Sequence, residues 1–290
     1  MNDLLVHPKT AASLKAVSDR PRSAVMLVGE SGAGKKTFAF SLSADLLDIS
    51  MQALDYFPHF MHIYKHDGDK DISIGAIREV VSKLKLTIPG TQPIKRIVLI
   101  EDAQLLSIEA QNSLLKVLEE PPAASLFILT VSSKLAVLQT IASRCQAIEI
   151  LPVSLHQAIE YFEESNSREI IEKAWRLSGG NVGLMVSLIN ENESHPLKKA
   201  VDEAKTFLKK TRYQRLLMLE ELAKDKSQLI LFLDALERVV ISAHRINVES
   251  DKITLSKKLL TVRQMIIEAR VALETNVNPK ITVTRMALCI

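Results

Sequence analysis

The stretch Gly29-Glu30-Ser31-Gly32-Ala33-Gly34-Lys35-Lys36-Thr37 constrains this chain more than any other. It follows the pattern G-x-x-x-x-G-K-[ST]. In that pattern glycines let backbone N–H groups wrap phosphate oxygens, a lysine meets the outer phosphates and a hydroxyl ligates Mg²⁺. Gly29, Gly34 and Lys35 are in register, Gly32 lies inside the loop, and Lys36 stands in the hydroxyl position. An ammonium there cannot ligate Mg²⁺ and places a second positive charge where the ion belongs. The flanks supply the context such a loop requires. Ala24-Val25-Met26-Leu27-Val28 is a short apolar run that reads as a buried parallel strand, and a helix is expected from about Lys36 through Leu47.

The same alternation continues downstream. Met61–Tyr64 reads as a strand and Ile74–Leu84 as a helix started by Ser73. Arg96–Ile100 reads as a fully apolar strand running into Glu101-Asp102. The helix over Ser107–Leu118 stops ahead of Pro121-Pro122, which cannot continue it. Leu126–Val131 and Ala147–Ile150 are further core strands. Strands alternating with helices predict an α/β fold with a parallel sheet covered on both faces. Past Leu151-Pro152 the pattern turns to amphipathic helices, broken at Ser178-Gly179-Gly180-Asn181, at His195-Pro196 and around Asn276–Pro279. The expected division is a P-loop α/β domain over 1-152, a small helical domain over 153-200 and an all-helical domain over 201-290.

A chain of 290 residues, 47% hydrophobic and 24% charged, can bury the cores that such a division needs. Its net charge of +3 permits contact with nucleic acid without the concentrated basic patch of a dedicated binder. Two cysteines, Cys145 and Cys289, rule out a disulfide framework or a thiolate zinc site and point to a reducing compartment. The N-terminus lacks a signal-peptide layout and no apolar run reaches membrane-spanning length, so a cytoplasmic protein without a membrane partner is expected.

Two further motifs and the chain's last segment carry a family resemblance. Gln111-Asn112-Ser113-Leu114-Leu115-Lys116-Val117-Leu118-Glu119-Glu120-Pro121-Pro122, Ser143-Arg144-Cys145 and Ala272–Pro279, taken with the phosphate loop, resemble the clamp-loader branch of the AAA+ ATPases. The pattern is most similar to the delta-prime subunits of bacterial DNA polymerase III. The resemblance implies an AAA+ base, a helical lid and a helical collar through which five subunits form a ring. That ring opens a sliding clamp and loads it onto primer–template DNA. The implied partners are gamma/tau-like ATPase subunits and a delta subunit in a hetero-pentamer. The resemblance also implies that the arginine of the S-R-C motif, here Arg144, acts in trans at a neighbour's ATP site. A guanidinium's fixed, always-charged fork suits the charge of a transferring phosphoryl group.

Departures from the family pattern gather in the chain's own nucleotide site. Lys36 replaces the hydroxyl. Glu101-Asp102 reverses the usual Asp-Glu order, and exchanging the two lengths moves each carboxylate by about 1 Å, enough to cost a large rate factor. Leu184, in Gly180-Asn181-Val182-Gly183-Leu184, lies where relatives place a basic lid residue. The expectation is a degenerate site built from Gly29, Gly32, Gly34, Lys35, Lys36, Thr37, Glu101 and Asp102. It either holds ATP weakly without hydrolysing it or is vestigial, and the chain then has no ATPase turnover of its own. The alternatives are an active gamma/tau-like motor subunit and a stand-alone repair or recombination ATPase of the same superfamily. The family's zinc module is missing, because Asp48–Phe60 contains no cysteine. His59, His62 and His66, with Asp67 and Asp69, run into a strand where their spacing does not converge on a metal. Thr130 and Ser132-Ser133 read either as a γ-phosphate sensor or as a polar strand end, and Arg144 also has a plain reading as an exposed helix-terminal arginine. Cys145 reads as motif packing and Trp175 as core.

Overall fold

The computed structural model describes residues 4–66, 68–84, 88–89, 91–191, 195–274 and 278–289. Asp67, and Thr275, Asn276 and Val277 of the last motif-like segment, lie outside the described residues. The chain forms two compact units: residues up to Tyr161 together with Asn181–Gly183, and residues 162–180 together with those from Leu184 onward.

In the first unit helices and strands alternate as α1 (Pro8–Asp19), β1 (Ala24–Val28), α2 (Lys35–Leu47), β2 (Phe60–Ile63), α3 (Ile74–Leu84), β3 (Arg96–Ile100), α4 (Ile108–Glu119), β4 (Ser125–Val131), α5 (Gln139–Ala142), β5 (Gln146–Glu149) and α6 (Leu155–Phe162). The five strands form one parallel sheet in the order β2-β3-β4-β1-β5. Its two central neighbours, β3 and β4, are buried along their whole length, as strands covered by helices on both faces must be. Successive residues feed opposite cores. Val25, Leu27, Ile97 and Leu99 pack with Leu14 of α1 and Phe38 and Leu42 of α2. Met26, Val98, Ile100 and Phe127 pack with Ile77 of α3 and Leu114 of α4.

Several elements differ from their expected form. β5 is an edge strand rather than a core strand: Ile148 is buried between exposed Ala147 and Glu149. β2 lies one residue earlier than the apolar pattern indicates. β3 is not apolar throughout, because it opens on buried Arg96, whose guanidinium donates to the Leu84 carbonyl at 2.8 Å and so closes the C-terminus of α3. Trp175 is half-buried rather than fully in a core.

The second unit is helical: α7 (Arg168–Ser178), α8 (Val182–Ile189, whose first two residues belong to the first unit), α9 (Pro196–Lys209), α10 (Arg212–Leu222), α11 (Lys226–Glu249), α12 (Ile253–Glu274) and α13 (Pro279–Cys289). Its core joins Phe207 and Phe232, edge-to-face at 5.3 Å, with Leu229, Leu233, Leu236, Ile266 and Leu273. Thr211 and Gln214 form a capping box that starts α10. Among the described residues no helix is long and apolar enough to cross a membrane.

Candidate functional site

The phosphate loop joins β1 to α2, and its backbone is what the glycines permit. Gly32 and Gly34 have φ of 80° and 88°, in the left-handed region, and Gly34 is the N-cap of α2. The loop's N–H groups thus gather at a helix N-terminus, the geometry that suits a phosphate. Lys35, however, turns back on the loop and donates to the carbonyls of Gly29 at 2.8 Å and Glu30 at 3.0 Å. Burial pushes its ammonium below the usual lysine value, against the pull of the Asp102, Glu101 and Glu30 carboxylates. Thr37 is exposed one position further along α2, about 100° round the helix from the slot that Lys36 fills.

Lys36 reaches the end of β3. Its Nζ lies 3.0 Å from Glu101 Oε2, and His62 Nε2 from neighbouring β2 lies 2.9 Å from the same oxygen. Burial raises the Glu101 carboxyl, but the bonds from His62 and Lys36, with the charge of Lys36, bring it below its ordinary value. The next residue, Asp102, has φ of 49° and ψ of 57°, a left-handed conformation that is costly outside glycine. It is held there by its own N–H, which donates to Thr130 Oγ1 at 2.8 Å, while its Oδ1 accepts from Gln104 at 3.2 Å. Buried Thr130 therefore fixes the backbone of the acid pair across the sheet. A phosphate anion fits the glycine cradle. An Mg²⁺-bound nucleotide does not fit this donor set, because the position that should offer a hydroxyl offers an ammonium already paired with Glu101.

A third segment closes over the loop. Asn181 Nδ2 donates to Glu30 Oε2 at 3.2 Å. A Cβ on Gly183 would fall 2.8 Å from the Gly32 carbonyl and 3.0 Å from the Gly34 nitrogen, so backbone meets backbone here. Leu184, where a basic lid residue would be needed, is fully buried in the helical core.

Arg144 lies elsewhere. In a parallel sheet all strands point one way, so the phosphate loop and Glu101-Asp102 mark the C-terminal edge. Arg144 stands two residues ahead of β5, whose Gln146 is level with Val25 near the start of β1. The length of β1, about 13 Å at the usual strand rise, separates the two levels. Arg144 Nη2 donates to Glu119 Oε1 at 2.7 Å and Nη1 to the Thr140 carbonyl at 3.0 Å. Ser143 ends α5 with its hydroxyl on the Thr140 carbonyl. Cys145 packs against the core, and burial pushes its thiol up to about 11.

Sequence reasoning does not find four contributors. The sequence offers His62 no role beyond a non-converging metal ligand in a strand; its pairing with Glu101 follows from its place on β2, in register with Leu99. His59 and His66 instead contact the rings of Phe57 and Tyr64. Gln111, buried inside the middle motif, donates to the Leu106 carbonyl and accepts from Leu138 N–H, tying the segment after the acid pair to the approach to α5. Asn181 and Gly183 close on the loop from far along the chain, and a Gly-Asn-x-Gly run was their one visible signal.

The strand order and a phosphate loop leading from β1 into α2 define an AAA+ fold followed by a helical region. The family described as DNA polymerase III, delta subunit, matches residues 7–154, more than half of the chain. The chain belongs to that family, as a delta-prime-like clamp-loader protein. DNA polymerase III subunit delta' of Escherichia coli (strain K12) is 32% identical over 135 residues, 45% of this chain and 39% of that protein. The corresponding subunit of Pseudomonas aeruginosa is 24% identical over 205 residues, 64% of this chain and 61% of that one. The aligned region thus spans less than two thirds of either relative. A DNA polymerase III, gamma subunit-related protein of Thermotoga maritima superposes with a TM-score of 0.54 over 97% of both chains at 16% identity, a likeness of fold alone.

Proposed function

We propose that this protein is the delta-prime-like subunit of a cytoplasmic bacterial clamp loader. It joins gamma/tau-like ATPase and delta subunits in a hetero-pentamer that loads the sliding clamp onto primer–template DNA. In this reading residues 1-152 are the AAA+ base, 153-200 the lid and 201-290 the collar. Its own nucleotide site is degenerate, and Arg144 is supplied in trans to a neighbour's ATP.

The observation that carries this reading is the placement of Arg144 across the sheet from the chain's own phosphate loop. An arginine there cannot serve its own site, yet its side chain remains partly exposed and held by a surface carboxylate that another anion can replace. The Lys36–Glu101–His62 cluster supports the other half, because the residues at the two positions that should hold a metal, Lys36 and Glu101, are bonded to each other. The test is reconstitution with cognate motor and delta subunits, followed by ATPase measurement with wild-type and Arg144→Ala chains. Loss of hydrolysis with assembly intact supports the reading; unchanged hydrolysis refutes it.

A second reading, an active gamma/tau-like motor, is favoured by the intact Gly29, Gly34 and Lys35. Steady-state turnover by the isolated chain would establish it, and absence of turnover removes it.

A further inference from the structure

The outer edge of β2 is an open half of a hydrogen-bond ladder. Ile97 N–H donates to the His59 carbonyl at 2.9 Å and Glu101 N–H to the Ile63 carbonyl at 2.8 Å. These bonds fix the parity of the strand, so odd-numbered residues face β3 and even-numbered residues face outward. Phe60 N–H is used locally by the Phe57 carbonyl at 3.0 Å. The Phe60 carbonyl, the N–H and carbonyl of His62 and the Tyr64 N–H have no backbone partner among the described residues. Beside them runs a groove of about 520 Å³, lined by β2, by the 3₁₀ turn Met51–Tyr56 and by α3.

We propose that this groove receives an extended, basic segment of another protein, which adds a sixth strand to the sheet at β2. A row of outward backbone donors and acceptors is matched by another extended backbone and by little else. The groove's charge selects the side chains. Asp55, Asp69 and Glu79 line it, and its one lysine among the described lining residues, Lys83, is already bonded to Glu79 at 2.7 Å. Asp55 and Asp69 are thus left to face lysines or arginines of the incoming segment. Tyr56, 89% exposed at the rim, offers a ring face to an alkyl stem or a cation. A second copy of this chain fits poorly, because pairing β2 with itself brings the same carboxylates together. The four outward groups make a short ladder, so these side-chain contacts decide the specificity.

The test uses the full chain and a short, end-blocked, fluorescein-labelled peptide of alternating lysine and valine. Saturable binding by fluorescence anisotropy is expected, with new hydrogen-exchange protection at the His62 and Tyr64 amides. The Asp55→Lys/Asp69→Lys chain, altered at two exposed positions, is expected to bind at least about tenfold more weakly. A glutamate–valine peptide and a lysine–valine peptide broken by a central proline are expected not to bind. The proposal is overturned if the proline-broken peptide binds equally, if protection appears at other amides, or if no saturable binding occurs. It also fails if those two amides become protected simply as protein concentration rises, which would make the occupant a second copy.

Discussion

At the C-terminal edge of the sheet the charged groups satisfy one another, whereas at the N-terminal edge Arg144 is held by contacts that are easily exchanged. Lys35 is bonded to two loop carbonyls, Lys36 and His62 share one oxygen of Glu101, and Asn181 takes Glu30. Across the sheet Arg144 meets one carboxylate, Glu119, in a pair whose side chains remain 35% and 51% exposed. Such a pair contributes about 0–1 kcal/mol, so an incoming anion displaces it at small cost. One sheet thus carries two kinds of cationic group, one paired within the phosphate-loop edge and one held by a partly exposed surface pair.

The largest expected effect tests the reachable side. If Arg144 acts in trans as proposed, Arg144→Ala in the reconstituted complex is expected to slow single-turnover hydrolysis by about 10³-fold, the usual worth of an arginine finger. The melting temperature of the isolated chain should stay within a degree or so of wild type, as for a weak surface pair. Arg144→Lys should rescue little, because an ammonium lacks the planar fork. Wild-type rates in Arg144→Ala would break the comparison, leaving both edges equally silent.

The next effect separates Arg144 from its neighbour in the motif. With its thiol pushed up to about 11 by burial, Cys145 carries little thiolate near neutrality. In a Cys289→Ser background, iodoacetamide labelling at pH 8 is expected to be about 100-fold slower than for a free cysteine. Labelling at the ordinary rate would show that the motif's cysteine is exposed and that the N-terminal edge is looser than the packing indicates.

How much of this could be read in the sequence depended on how local the cause was. The loop's fold follows from residues adjacent in the chain, Gly29 to Lys35, so the pattern sufficed to place strand, turn and helix. Lys36 announced by itself that a hydroxyl was missing. It could not announce where the ammonium would go, because Glu101 and His62 reach it from two other strands and their meeting depends on the β2–β3 register. Arg96 misled for a related reason: a strand can open on a buried charge when a helix end nearby supplies carbonyls. The Ala147–Ile150 run looked like core because its composition hides an edge position, which strand order alone sets. Gly183 lies about 150 residues from the loop that it touches, and no local signal spans that distance.

Gly183→Ala probes the tightness of the self-satisfied edge. The added methyl would sit within 3.0 Å of two loop backbone atoms, neither of which can rotate away. Overpacking of this kind costs about 1–3 kcal/mol, read as a lower urea midpoint at unchanged slope. A neutral Gly183→Ala would mean that the segment stands off the loop in solution, leaving the phosphate cradle more open than its contacts imply.

The smallest effect tests the internal ion cluster through its pH dependence. Glu101 has a folded pKa below its ordinary value. Its contribution to stability is therefore fully present above the unfolded value, about 4.3 for a glutamate, and is lost as pH falls through the depressed folded value. Glu101→Gln keeps the shape and removes the titration. The wild-type advantage over Glu101→Gln should therefore be widest near neutrality and shrink as pH drops below the ordinary carboxylate range, measured by urea denaturation at stepped pH. The side chain of Lys36 is 56% exposed, so water screens the pair and the whole difference should stay under about 1 kcal/mol. A gap that stays constant or widens on acidification would mean that Glu101 is not held as a carboxylate by Lys36 and His62. The C-terminal edge would then have a free acid beside its phosphate loop, and the contrast between the two edges would lose its physical basis.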